Sequence, residues 1–259
     1  MSIVLHTYMS PVLRQPSRSD GISTPIAVIS RSGEPKYWLD EMLEGGGILV
    51  PDDVTRDTDN PQPLIWLVTG PPGTGKTTFA LELCLNFATM PQDLGSITSP
   101  VTSNGDRALR TLYISLETPA ARLLEHMEQF GWDTSSVSAL QAGSPFAPSA
   151  RMCLRGSDSL GLTEGNATIA AEFAITWASW LDRFGGDGAQ SPVMVVFDNL
   201  NTLGPKADAS SAIQTALVNA GESARPWIVM IVCDISEGKE SPWWFAADII
   251  TQFLSLIHI

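Results

Sequence analysis

The chain has 259 residues, 44% of them hydrophobic, and a formal net charge of −13 from 28 acidic and 15 basic residues. This length suits one α/β domain with a sizeable core, or at most two small domains. The acidic balance argues against non-specific binding of nucleic acid or of an anionic membrane, and because the sequence shows neither a signal peptide nor a membrane-spanning run, we expect a cytoplasmic protein.

The first 35 residues carry scattered prolines and no apolar period. We therefore expect a loose N-terminal arm over 1–35, with a short edge strand over 26–29, and a folded domain over 36–259. Apolar residues at helical spacing predict a short helix over 37–43, which the glycine run over 45–47 ends. An acidic, proline-bearing loop is predicted to follow over 49–63.

The stretch over 64–78 contains the pattern G-x-x-x-x-G-K-T between an apolar, β-prone run and an apolar-periodic helix, which is the context of a phosphate-binding loop. Its glycines allow positive φ angles, so that backbone N–H groups can point at a polyphosphate at the start of the helix. Lys76 adds a charge for the β- and γ-phosphates, and Thr77 adds a hydroxyl for Mg²⁺. The predicted binding residues are Gly70, Pro71, Pro72, Gly73, Thr74, Gly75, Lys76, Thr77 and Thr78.

Beyond the loop, helical and β-prone segments alternate along the chain. Apolar spacing predicts helices over 79–88, 120–130, 166–184 and 209–220, and apolar runs predict strands over 112–117, 192–198, 227–233 and 248–254, with a short strand near 151–154. The segments over 91–109 and 132–165 are otherwise expected to be loops. Continuously apolar strands alternating with helices predict an α/β fold, in which a mostly parallel β-sheet is flanked by helices on both faces.

Smaller features refine this outline. Thr118 is expected to cap the helix over 120–130, with Pro119 at the first helical position, and Gly131 is expected to end the helix. Three scattered cysteines without a C-x-x-C pattern are expected to be buried free thiols: Cys84, Cys153 and Cys233.

Two carboxylates follow predicted strands, and ligands of parallel sheets bind at the carboxyl ends of the strands. Asp198 comes directly after four apolar residues and is predicted to hold Mg²⁺ together with Thr77. Glu117 is predicted to orient an attacking water beside the γ-phosphate, rather than to be only an exposed acid at a strand end. Asp234 and Glu237 follow another strand, and either nucleotide contact or a solvated acidic loop suits them equally.

Six segments, in the same order, resemble the KaiC/RadA branch of the RecA-like ATPases. They are L-D-E-M-L-E-G-G-G at 39–47, G-P-P-G-T-G-K-T-T at 70–78, Y-I-S-L-E at 113–117, F-G-W-D at 130–133, V-V-F-D-N-L at 195–200 and A-D-I-I at 247–250. The resemblance implies a RecA-like P-loop ATPase domain over 36–259. It also implies that ATP and Mg²⁺ are the cofactors and that ATP binds between subunits of a homo-oligomeric ring or filament. By the same resemblance, Lys76 and Glu117 are catalytic, and Thr77 and Asp198 assist the metal.

The sequence departs from the family pattern in three places. Thr118 stands where clock-type members carry a second glutamate, so autokinase activity is not expected. The approach to the loop over 49–63 is longer than usual. The closing strands of the family are expected to be missing after residue 254, as in a C-terminal truncation.

Three functions therefore stay open at this point. The first is ATP hydrolysis coupled to oligomer assembly or signalling. The second is a DNA-repair or replication ATPase, which the acidic balance and the lack of a basic, glycine-rich loop after Asp198 disfavour. The third is a non-catalytic, ATP-gated scaffold. No membrane partner is expected.

Overall fold

The structure is a computed structural model, which describes residues 4–9, 22–24, 28–29, 35–36, 48–50, 64–89, 110–140, 150–158, 194–199, 228–234, 242–245 and 247–254. The helices expected over 37–43, 166–184 and 209–220 lie outside these residues. The loop expected over 91–109 and residues 51–63 of the loop expected over 49–63 also lie outside them, whereas residues 49 and 50 of the latter belong to a strand and not to a loop.

The described residues form twelve strands, two α-helices and one 3-10 helix. The strands are β1 (Val4–Met9), β2 (Ile22–Thr24), β3 (Val28–Ile29), β4 (Pro35–Lys36), β5 (Ile48–Val50), β6 (Leu64–Gly70), β7 (Thr111–Ser115), β8 (Val137–Leu140), β9 (Met152–Arg155), β10 (Met194–Asp198), β11 (Ile228–Asp234) and β12 (Ile249–Leu254). The helices are α1 (Lys76–Thr89) and α2 (Ala120–Gln129), and the 3-10 helix spans Pro242–Phe245.

Eight strands form one sheet in the order β1-β12-β6-β11-β10-β7-β9-β8. The seven strands from β12 to β8 run parallel to one another, and β1 pairs antiparallel with β12. The other four strands form two separate antiparallel pairs, β2 with β5 and β3 with β4. The predicted fold class, a mostly parallel α/β sheet of the P-loop NTPase type, is confirmed.

Two strands of the sheet were not predicted, and both lie at its edges. β1 falls in the segment expected to be a loose arm, and β8 falls in the segment expected to be a loop. An edge strand has a neighbour on one side only and is often short and mixed in polarity, so it lacks the continuous apolar run of a central strand. The strand expected over 26–29 is present as β3, but it pairs with β4 and not with the large sheet.

The central strands are buried on both of their faces. On β6, Trp66, Leu67 and Val68 are all fully buried although they alternate between the faces, and every residue of β7 and β10 is buried. This two-sided burial explains why the runs that predicted these strands are continuously apolar. Cys84, Cys153 and Cys233 are buried free thiols, as expected.

Helix α1 is buried on more sides than its predicted apolar face. The predicted positions 79, 80, 83, 84, 87 and 88 are buried, and so are Leu81, Leu85 and Asn86. A helix that is apolar around most of its circumference is typical of a core element. Since α1 begins at Lys76, this packing fixes the position of the first helical turn relative to the sheet.

The start of α2 differs from the prediction. Pro119 is the residue before the helix rather than its first residue, and Thr118 does not cap it. The backbone N–H of Ala120 instead donates to Asp158 Oδ1 at 3.2 Å, across 38 residues of sequence. Gly156 allows this approach, because a Cβ at that position would overlap the backbone nitrogen of Ala120. Gly131, at φ +74°, follows the end of α2 as expected.

We expect Asp158→Ala to lower the free energy of unfolding by about 0.5–2 kcal/mol, because the substitution leaves an N–H group at the start of α2 without its carboxylate acceptor. Asp158→Asn should lower the free energy of unfolding by less, since the amide oxygen of asparagine can still accept the hydrogen bond. Urea unfolding monitored by circular dichroism measures both. Glu125→Gln is the control, because Glu125 is exposed on α2 and its 3.8 Å pair with Arg122 is a surface pair. An Asp158→Ala protein as stable as this control would contradict the assignment.

Candidate functional site

The carboxyl ends of four parallel strands bring the polar residues of the site together. The register aligns Asp198 at the end of β10 with Ser115 on β7 and with Val232 on β11. It also aligns Asp234 at the end of β11 with Gly70 at the end of β6. Parallel strands of matched register end at one edge of the sheet, so the loop after β6 and the residues that follow β7, β10 and β11 share one crevice.

The loop between β6 and α1 has the backbone that its glycines predict. Gly70, Gly73 and Gly75 have φ angles of +152°, +76° and +93°. For Gly73 and Gly75, no atom of the described part of the chain lies within 4 Å of the place where a Cβ would be, so the loop borders open space. A Cβ on Gly70 would lie 2.5 Å from the backbone oxygen of Phe253, so the close approach of β12 also requires a glycine here.

Lys76 begins α1 and turns back over the loop. Its Nζ donates to the backbone oxygen of Pro71 at 2.7 Å and lies 2.6 Å from Oδ1 of Asp234. The hydroxyl of Thr74 donates to the same Pro71 oxygen at 2.8 Å. Lys76 is 6% exposed, so the loop and the end of β11 hold its charge in a fixed, largely buried position.

Asp198 is the most buried carboxylate of the site, at 4% exposure. Its Oδ2 accepts hydrogen bonds from the hydroxyl of Tyr113 at 2.6 Å and from the hydroxyl of Thr77 at 2.9 Å. Burial raises the pKa of Asp198 above the usual value, and the two hydrogen bonds act in the opposite direction. The pKa of Tyr113 is raised well above the usual value by burial and by the neighbouring Asp198 charge, so its hydroxyl remains a donor.

Glu117 lies two residues beyond β7 and is exposed. The side-chain nitrogen of Asn199 connects it to β11, at 3.3 Å from Glu117 Oε2 and 3.0 Å from Asp234 Oδ2. Asn199 follows Asp198 through a cis peptide bond. The carboxylates at the ends of β7 and β11 are therefore joined by one amide from the end of β10.

The structure brings the predicted residues Lys76, Thr77, Glu117 and Asp198 to one edge of the sheet. In the rest of the predicted loop, Pro71, Pro72 and Gly73 are exposed, Thr74 is buried, and Gly75 and Thr78 are half-buried. Asp234, which the sequence left open, belongs to the same cluster, whereas Glu237 lies outside the described residues.

Two residues of the cluster were missed from the sequence. Tyr113 lies in a buried, otherwise apolar run, and its hydroxyl needs a hydrogen-bond partner there, which is a detectable indication of a polar neighbour. Asn199 has no comparable indication, because its role depends on contacts with residues 82 and 35 positions away in the chain.

The residues present fit a polyphosphate with a magnesium ion. The Thr77 hydroxyl and the Asp198 carboxylate lie 2.9 Å apart and are the hard oxygen ligands that Mg²⁺ prefers. Within the described ranges there is no group of three or more histidine, cysteine or acidic residues that could hold a metal by itself. Mg²⁺ is usually bound by one or two protein carboxylates together with waters and substrate phosphates.

Over the residues that the structure describes, no helix is both long and apolar enough to cross a membrane.

We expect Tyr113→Phe to lower the free energy of unfolding by about 1.5–3 kcal/mol, because it removes a buried hydrogen bond to a charged group. Thr111→Val is the matched control on the same strand, since the Thr111 hydroxyl donates to a neutral acceptor, the backbone oxygen of Cys84, at 3.2 Å. Thr111→Val should lower the free energy of unfolding by about 0.5–1.5 kcal/mol. Urea unfolding of both variants tests the difference, and equal losses would contradict a charged Asp198 as the partner of Tyr113.

A family model described as an AAA domain matches residues 63–226, which include the whole phosphate-binding loop. No curated protein matches the chain. Among solved structures, a KaiC-like protein from the hyperthermophilic archaeon Pyrococcus horikoshii OT3 is similar at 16% identity and a TM-score of 0.40, over 70% of this chain and 64% of that chain. The chain thus spans less than two thirds of that protein.

The family match extends over more than half of the chain and includes strands β6, β7 and β10 with their site residues. The prediction of a P-loop ATPase domain is thereby confirmed. The chain belongs to this AAA-domain family of P-loop ATPases.

Proposed function

We propose that the chain binds ATP with Mg²⁺ at the carboxyl edge of the sheet and hydrolyses it to ADP and phosphate. Membership of a P-loop ATPase family supports nucleotide binding and hydrolysis in general. The observation that carries the specific proposal is that Lys76, Thr77, Asp198 and Glu117, from three different parts of the chain, lie around one open glycine loop.

The loop supplies the phosphate site. Its glycines hold a backbone from which N–H groups can donate to phosphate oxygens at the start of α1, where the helix dipole favours an anion. Lys76 adds the cationic charge that balances the β- and γ-phosphates. Because Lys76 is largely buried, its interaction with an anion is screened less by solvent than that of a surface lysine.

Thr77 and Asp198 are proposed to hold the metal. A bound Mg²⁺ would supply positive charge to offset the negative charge that develops on the phosphate oxygens. Asp198 must be ionised for this role, and burial raises its pKa, so the hydrogen bond from Tyr113 matters because it favours the ionised form.

Glu117 is proposed to orient and polarise the attacking water. Glu117 is exposed, so a water can reach its carboxylate, and the amide of Asn199 restricts its orientation. A carboxylate in this position accepts a proton from the water as the water oxygen attacks the γ-phosphorus. The bond from that phosphorus to the β–γ bridging oxygen breaks and ADP leaves, while Lys76 stabilises the charge on the transferred group.

The proposed assembly follows from the motif resemblance rather than from contacts of the chain. We propose a homo-oligomeric ring or filament in the cytoplasm, with signalling or assembly as the use of the ATP. The net charge of −13 favours this over a role on DNA, because nucleic-acid binding depends on neutralising phosphates with basic residues.

Two substitutions separate binding from chemistry. Lys76→Ala should abolish measurable ATP binding, because it removes the cation of the phosphate site. Glu117→Gln should keep ATP affinity and lower kcat by about 10²–10⁴-fold, the usual contribution of a positioned general base. Equilibrium titration with ATP and a phosphate-release assay measure the two effects. Glu128→Gln, an exposed residue of α2, is the control. Unchanged turnover in Glu117→Gln would refute the role of Glu117.

A further inference from the structure

The ammonium of Lys76 has an anionic partner without any nucleotide. Nζ lies 2.6 Å from Asp234 Oδ1 and 2.7 Å from the backbone oxygen of Pro71. An ammonium has three N–H donors, so these contacts use two of them. The Lys76 side chain is 7% exposed and that of Asp234 is 25% exposed, which places the pair at the floor of the crevice.

Asp234 is held on its other side as well. Its Oδ2 accepts from the side-chain nitrogen of Asn199 at 3.0 Å, and the same nitrogen lies 3.3 Å from Glu117 Oε2. Four side chains thus form a continuous series of contacts in the order Lys76, Asp234, Asn199, Glu117. The series connects the cation of the phosphate loop with the carboxylate assigned to the attacking water.

A polyphosphate that binds Lys76 must share or displace the Asp234 carboxylate. Sharing brings two anions to the same ammonium, and their repulsion is stronger in a crevice than in bulk water because the effective dielectric constant is lower. Displacing Asp234 costs the 2.6 Å ion pair and leaves this carboxylate with Asn199 as its donor from the series. In both cases Asp234 lowers the affinity of the site for the polyphosphate.

We propose that Asp234 is an internal competitor for the polyphosphate, and that Asn199 transmits its displacement to Glu117. This inference rests on the proposed function, because it needs a polyphosphate to bind at Lys76. Before the nucleotide binds, the ion pair with Asp234 engages Lys76 and lowers the affinity of the site for a polyphosphate. When the ligand takes Lys76, Asp234 depends more on Asn199, and the amide that Asn199 shares between two carboxylates is drawn away from Glu117.

The first experiment measures the affinity for ATP and for tripolyphosphate by calorimetric titration without Mg²⁺. Asp234→Asn should bind both ligands at least about fivefold more tightly than the unsubstituted chain, because it removes the competing charge while keeping the side-chain size. Glu128→Gln is the control, since it neutralises an exposed carboxylate of α2 that belongs to neither the phosphate loop nor the series. Its affinity should change by less than about twofold.

The alternative roles of Asp234 give different results. Unchanged or weaker binding in Asp234→Asn would show that Asp234 supports the site or only stabilises the fold, and would overturn the proposal. An equal gain in Glu128→Gln would show that general charge, and not the contact with Lys76, is responsible. Asp234→Ala serves as a second variant, with its thermal unfolding measured alongside, so that a folding defect in one variant does not prevent the test.

The second experiment tests the link through Asn199. The effects of Asp234→Asn and Glu117→Gln on ATP affinity are compared singly and together, with and without Asn199→Ala. With Asn199 present, the double variant should depart from additivity by at least about threefold. With Asn199→Ala, the effects should be additive within about twofold, as for independent sites. The same coupling in both backgrounds would overturn the role of Asn199.

The outcomes separate this inference from the proposed function. If the unsubstituted chain binds neither ATP nor tripolyphosphate, the proposed function fails and the inference fails with it. If the unsubstituted chain binds both and Asp234→Asn binds no more tightly, the proposed function stands and the inference alone is wrong.

Discussion

The site depends on the buried carboxylate of Asp198, which accepts hydrogen bonds from Thr77 on α1 and Tyr113 on β7. These two contacts fix the first turn of α1 against the ends of two central strands. They also keep an anion in a position that burial disfavours, as the raised pKa of Asp198 shows. A carboxylate held in this way is a strong ligand for a cation that replaces part of its lost hydration. The same two hydrogen bonds to Asp198 therefore position α1 and determine the chemistry of the site.

The charges of the crevice are unbalanced without a ligand. Asp198, Asp234 and Glu117 surround one cation, Lys76, among the described residues of the cluster. A metal ion reduces this excess of negative charge, whereas a polyphosphate alone increases it. Under the proposed function, this charge balance favours the nucleotide together with its metal over the nucleotide alone. Asp234 also neutralises Lys76, which would otherwise be an almost buried, unpaired charge.

The sequence predicted the central part of the fold and the loop, because both leave a local pattern. Two-sided burial makes β6, β7, β10 and β11 continuously apolar, and the phosphate loop needs glycine at fixed positions. The features that were not predicted depend on contacts between residues far apart in the chain. The edge strands β1 and β8 lack such a run, the cap of α2 comes from Asp158 rather than Thr118, and Asn199 acts on distant residues. A single sequence does not encode these contacts in any local period.

The most direct measurement of the central claim is the effect of Mg²⁺ on ATP affinity in the unsubstituted chain and in Thr77→Val. Valine keeps the shape of threonine and removes the hydroxyl that lies 2.9 Å from Asp198. We expect Mg²⁺ to tighten ATP binding about tenfold or more in the unsubstituted chain, and by less than about twofold in Thr77→Val, while Mg²⁺-free affinity stays equal. The same gain from Mg²⁺ in both proteins would contradict a metal site formed by Thr77 and Asp198.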